Sequence, residues 1–211
     1  MSDGVDTGSE ERERFEAELI ERREAALANV VKFGDPVLKS RASPVSQFGP
    51  ELRAEIERMV AIMRDGLGVG LAATQLGILR RLLVFQADSD NEPTALVNPH
   101  LEWLSEEATI GEEGCLSLPR ISVDVERPLH IRVSGRDGEG EAIEIEASGL
   151  EARILQHEID HLDGVLILDR TTRSQRKGAL RALREGGSYS PAPEEHEPAD
   201  DGELREPRTD A

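Results

Sequence analysis

His157-Glu158-Ile159-Asp160-His161 constrains this chain more than any other five residues. On a helix, positions i and i+4 share a face, so the two imidazoles can meet at one metal ion. Glu158 follows the first of them and can stand beside a metal-activated water and take its proton. The flanking sequence asks for that helix. Leu150, Ile154, Leu155 and Leu162 follow Gly149 at helical spacing and predict a helix over about residues 150–162 with those side chains facing inward. The competing reading is an exposed helix that happens to carry two histidines. The apolar face weighs against it, because unpaired polar groups next to a core are costly.

Catalytic metal sites typically use three protein ligands and keep one position open. The segment Glu112-Glu113-Gly114-Cys115-Leu116-Ser117-Leu118-Pro119 holds the only cysteine of the chain. A lone cysteine is most often a small core residue, yet a thiolate here would complete a Cys/His/His set. The residues after His161, Leu162-Asp163-Gly164-Val165, do not fit the spacing of a third histidine in metzincins. A zinc peptidase and a catalytically silent metal-binding protein both stay open on the motif alone. Cys115 speaks against the first, and the intact Glu158 and Gln75 against the second.

A third stretch, Gly68-Val69-Gly70-Leu71-Ala72-Ala73-Thr74-Gln75, is neither a Rossmann fingerprint nor a P-loop, since the third glycine and the Gly-Lys-Ser/Thr are missing. Its bland reading is a turn ending a helix, then a buried strand. It does offer glycines that let backbone approach a ligand closely. It also offers an amide, Gln75, that needs a partner inside an apolar run.

GVGLAATQ (68–75), EEGCLSLP (112–119) and QHEIDHLDG (156–164), in that order, resemble the three signature motifs of bacterial peptide deformylases. VVKFGDPVLKSRASPV (30–45) is similar to that family's opening segment, and the likeness runs over about residues 29–175. The resemblance implies an α+β fold with sheets around a central helix carrying HExxH. It implies Cys115, His157 and His161 as metal ligands and Glu158 as general base. Gln75 and the Leu116 N–H would hold the oxyanion, and Gly70 would shape the wall beside the substrate backbone. The implied reaction removes the formyl group from the N-terminal formylmethionine of nascent proteins, with metal-bound water attacking the formyl carbon and formate leaving. The implied ion is Fe²⁺, one per chain, with Zn²⁺, Ni²⁺ or Co²⁺ as substitutes; the ligand set alone would suggest Zn²⁺. Val69, Leu150, Ile154 and His157 are candidate walls of a methionine pocket. Arg153 is open to two readings, a frame for the pocket mouth or an ordinary exposed helix charge.

The chain has 211 residues and a formal net charge of −18, unevenly spread. Residues 1–28 carry −5 and residues 189–211 carry −6, which leaves −7 for the remainder. So mild an acidity argues against a broad nucleic-acid footprint. Apolar residues make up 37% and charged residues 32%, which suits one domain with tails. A single cysteine suits a reducing compartment. The N-terminus has neither a basic n-region nor an apolar h-region, and no apolar run approaches membrane-spanning length, so the expectation is a cytoplasmic protein with no membrane partner.

Residues 1–28 read as an extension, disordered over 1–9 and helical over 10–27 with Phe15 and Leu19 on one thin apolar face. Residues 29–185 read as the catalytic domain. Pro50 opens a helix on which Leu52, Ile56, Met59, Val60, Met63 and Leu67 recur, and Leu82–Phe85, Thr94–Val97, Ile121–Val125, His130–Ser134 and Ala142–Ala147 read as strands. A last helix, residues 172–184, holds Arg173, Arg176, Lys177, Arg181 and Arg184 with no acid. Relatives carry a C-terminal helix that in some docks on the ribosome near the exit tunnel, which makes the ribosome a candidate partner besides nascent formyl-Met polypeptides. Residues 186–211 read as an acidic disordered tail.

Overall fold

The computed structural model of the chain describes residues 7–192. Along the chain come helix α1 (Thr7–Ala28), helix α2 (Pro50–Asp65), and strands β1 (Gly70–Ala72), β2 (Leu82–Phe85), β3 (Thr94–Leu104), β4 (Ala108–Cys115), β5 (Leu118–Pro128), β6 (His130–Arg136) and β7 (Ala142–Ser148). Helices α3 (Gly149–Leu162), α4 (Ile167–Arg170) and α5 (Arg173–Glu185) follow. Five strands pair in the order β1-β2-β3-β6-β7, β4 and β5 form a separate hairpin, and both sheets are antiparallel. The expected α+β fold is the one observed.

The uninterrupted apolar run of β2 explains the layering. A strand buried on both faces loses the usual alternation, and all four of its residues are buried. Leu82 and Val84 pack with Leu52, Met59, Ile62 and Met63 of α2. Leu83 and Phe85 point the other way, into a cluster with Ala152, Leu155, Ile159 and Leu162 of α3. The five-stranded sheet is thus clasped between α2 and α3. A third cluster joins Leu118, Ile121, Val123 and Val125 of β5 to Ile167 and Leu168 of α4 and Ala179 and Ala182 of α5. Side chains of this size each contribute roughly 1.5–3 kcal/mol when fully buried, so the cluster of Leu83 and Phe85 with α3 fixes that helix on the sheet, while the third holds α4 and α5 on the hairpin. At the end of α3, Gly164 has φ 74, and a Cβ there would lie 2.7 Å from the Lys39 carbonyl oxygen. Only glycine allows the chain to leave the helix so close to that backbone.

The structure departs from the sequence reading in four places. The helix expected over 10–27 begins at Thr7, inside the stretch read as disordered; residues 1–6 lie outside the described residues. Its Phe15–Leu19 face does not pack, as both are exposed, and Ala26 is the residue it buries. β4 carries no strand signal of its own, because ATIGEEGC has no apolar alternation and lies mostly at the surface. The tail does not become irregular at once after α5. Tyr189 bridges Ile121 in parallel, its N–H donates to the Arg120 carbonyl at 3.0 Å, and its carbonyl accepts from Ser122 N–H at 2.9 Å. Residues 193–211 lie outside the described residues.

Candidate metal centre

Three segments distant in sequence deliver the side chains. On α3, His157 and His161 stand one turn apart with ring centroids 4.9 Å apart and nearly perpendicular planes. Cys115 ends β4, where the register against β5 shifts between Gly114 and Cys115. Such an irregularity re-aims a side chain, and here Cys115 Sγ comes 3.3 Å from His161 Nε2. The ligand atoms of Cys115, His157 and His161 all lie within 4.8 Å of one another. After β1, a short 3₁₀ turn (Ala73–Leu76) brings Gln75 in. Gln75 Oε1 accepts from Ala72 N–H at 2.8 Å, and Nε2 reaches Cys115 Sγ at 3.6 Å.

Hydrogen bonding selects which nitrogen of His157 is free. Glu113 Oε2 lies 3.0 Å from His157 Nδ1, which leaves Nε2 free to face an ion, the arrangement that orients metal-bound histidines generally. Glu113 is in turn clamped by Arg127, which donates from Nε at 2.7 Å and from Nη2 at 2.9 Å. Arg127 is itself buried and donates its third bond to Asp160 at 2.8 Å.

The electrostatics of the metal-free site couple the thiol to the two histidines. Burial would raise the Cys115 thiol, but the His161 charge and hydrogen bonds from both histidines outweigh it and hold the thiol well below its usual value. That favours the thiolate, the form that binds metal. Burial would lower His157, yet hydrogen bonds with Cys115 and Glu113 hold it well above the ordinary histidine value. Burial raises Glu158, against the neighbouring His157 and His161 charges. Two buried polar atoms here, Glu158 Oε2 and His161 Nδ1, have no hydrogen-bond partner among the described residues. A soft thiolate, two imidazoles and an unpartnered carboxylate oxygen beside them fit a catalytic transition-metal site with an open position.

Every candidate residue read from the sequence except His161 lines one cavity of about 940 Å³. Val69 and Leu150 are half or more exposed at its rim, whereas Ile154 is buried. Gly70 does more than border the cavity. A Cβ at that position would lie 2.8 Å from Glu158 Cδ, so the glycine makes room for the carboxylate. Arg153 is not an ordinary exposed charge. It lines the cavity and donates to Glu113 at 2.8 Å and to the carbonyls of Val125 at 2.9 Å and Thr109 at 2.8 Å. The sequence reading missed Arg127 and the clamping role of Glu113. A signal existed for Arg127: Ile121, Val123 and Val125 alternate inward on β5, and residue 127 continues that period into the interior.

The family profile described as polypeptide deformylase matches residues 27–177. The peptide deformylase of Parafrankia sp. is 46% identical over 152 residues, covering 72% of this chain and 82% of its own. A crystal structure of peptide deformylase from Thermotoga maritima matches at 46% identity and TM-score 0.66, over 68% of this chain and 96% of that one. The peptide deformylase of Synechococcus elongatus in complex with actinonin matches at 39% identity and TM-score 0.70, over 75% and 88%.

Proposed function

The chain belongs to the polypeptide deformylase family, metal-dependent hydrolases that remove the formyl group from the N-terminal methionine of nascent proteins, and we propose that Glu158 is the general base of that reaction here. The observation that carries the assignment is a buried carboxylate oxygen with no partner among the described residues, next to three converging ligand atoms and facing a cavity. Cys115, His157 and His161 would hold the ion. We propose Fe²⁺, the family's usual metal, with Zn²⁺, Ni²⁺ or Co²⁺ able to replace it. When bound, the ion supplies Lewis acidity and makes water a competent nucleophile at neutral pH.

The remaining steps belong to the protein's own groups. Glu158 accepts a proton from the attacking water, and its raised proton affinity brings it nearer the working pH of a general base. Gln75 Nε2 and the Leu116 N–H are the donors for the oxyanion that develops on the formyl oxygen. Glu158 then returns the proton to the departing amine, and formate leaves. Ile154, Val69 and Leu150 supply apolar surface for the methionine side chain, and Gly70 keeps Glu158 free to move its proton.

The catalytic domain is taken as residues 29–185, with 1–28 an N-terminal extension and 186–211 an acidic tail. No helix of the described residues is long and apolar enough to cross a membrane; a cytoplasmic location is proposed because nascent chains are the substrate. The basic α5 is proposed to face the ribosome near the exit tunnel. The deciding experiment is anaerobic assay of formate release from formyl-Met-Ala-Ser, with metal analysis of the same sample. Stoichiometric formate without internal peptide cleavage is expected. Internal cleavage without formate would instead favour a zinc peptidase.

A further inference from the structure

α1 lies almost wholly outside the region matched to the family, which begins at residue 27. Yet Ile20, Arg23, Glu24 and Leu27 line the same cavity as the metal centre. The helix is held there by specific contacts. Ala26 is buried among α2 side chains, and Arg22 pairs with Asp65 at the end of α2. Lys32 Nζ donates to the Leu27 carbonyl at 3.0 Å and to the Leu116 carbonyl at 3.2 Å, tying the last turn of α1 to the residue after the cysteine ligand. Upstream of these anchors Ile20 is 60% exposed, an apolar side chain offered to the cavity and left uncovered by the described residues.

A substrate that is a polypeptide must lead its chain away from the metal centre, and a cavity of about 940 Å³ holds far more than one methionyl residue. We propose that α1 is the outer wall of the substrate cleft and that Ile20 makes apolar contact with the third and later residues of the substrate chain. The inference rests on the deformylase reading. Arg23 and Glu24 cancel in charge, so the wall selects for apolar surface rather than for a sign of charge.

The test compares formyl-Met-Ala with formyl-Met-Ala-Leu-Leu as substrates for the full chain, Ile20→Ala and Ile20→Leu. Alanine is the best helix former and keeps α1 intact. For the longer peptide, Ile20→Ala should lower kcat/KM about three- to tenfold, mainly through KM, as loss of about one to two buried methylene equivalents predicts. Formyl-Met-Ala should be turned over unchanged, and Ile20→Leu should match the parent on both. An equal loss on both peptides would overturn the inference. Unchanged kinetics on both would do so too, and would leave that wall to another occupant such as the chain's own terminal residues. No formate from either peptide with the unaltered chain would overturn the deformylase reading itself, and this inference with it.

Discussion

Glu113 accepts hydrogen bonds from Arg127, Arg153 and His157, and one carboxylate thereby orients the His157 ring and neutralises buried guanidinium charge. Its burial would raise it, but Arg127 and His157 outweigh that and bring its carboxyl to about 2, from an ordinary 4.5. A depressed carboxylate stabilises the fold above its ordinary value and loses that contribution as pH falls through the folded one. Between pH 4.5 and about 2 the protein should therefore lose stability that Glu113→Gln has already forfeited. Thermal melts of both chains across that window would show converging curves; parallel curves would take Glu113 out of the acid transition. At neutral pH the variant leaves Arg127 under-paired, at a cost of about 3–5 kcal/mol. Glu158→Ala should keep the metal and lose roughly 10²–10⁴ in kcat. Retained turnover would exclude it as the base. Gly70→Ala should also lower kcat with metal content unchanged, since the new Cβ must displace Glu158. A crystal structure of Gly70→Ala with Glu158 unmoved would refute that. The convergence of Cys115, His157, His161 and Glu158 on one site was legible in sequence because helical spacing and an isolated cysteine are local signals. The partners of Glu113 were not, because they depend on the register that sets Glu113 opposite Val123 and on α3 docking against the hairpin.

Elements were legible where burial is symmetric or periodic and illegible where pairing alone creates them. β2 occupies the four residues its apolar run predicts, and α2, α3 and α5 follow their spacing to within a residue or two. β4 exists because β5 pairs with it over eight residues, not because its own side chains ask for a strand. The segment after α5 is another such case. Tyr189 lies along β5 and packs on Gly178 of α5, where a Cβ would come within 3.0 Å of ring carbon Cδ2 and closer still to Cε2. Gly to Ala inside a helix ordinarily stabilises by about 0.5–1 kcal/mol. Gly178→Ala should do the opposite, lowering the melting temperature because the ring must leave its place on the helix. The double variant Gly178→Ala with Tyr189→Ala should recover the ordinary gain relative to Tyr189→Ala alone. Simple additivity of the two changes in melting temperature would show that Tyr189 does not rest on α5 in solution.

At the scale of the whole molecule, a net charge of −18 coexists with a helix whose five charged residues before Glu185 are all basic. The structure refines which of them are available. Arg176 pairs with Asp169 and Arg181 with Glu185, so Arg173, Lys177 and Arg184 are the bases of α5 without an ion pair among the described residues. Residues 193–211 carry a net −6 and follow α5 closely enough in sequence to compete with an external polyanion for it. If α5 meets ribosomal RNA, attraction comes from released counterions, and three contacts imply roughly a tenfold or greater loss of affinity between about 50 and 200 mM salt. Cosedimentation with ribosomes can separate these terms. A chain ending at Ala192 keeps Tyr189 on β5 and removes a net charge of −6, so it should pellet at least as well as the full chain. Changing Arg173, Lys177 and Arg184 to Glu should abolish pelleting while formate release from a free peptide persists, because none of the three lines the catalytic cavity. Equal pelleting of the shortened and charge-reversed chains at every salt concentration would leave α5 as solvated surface that serves only to pack Ala179 and Ala182 against β5.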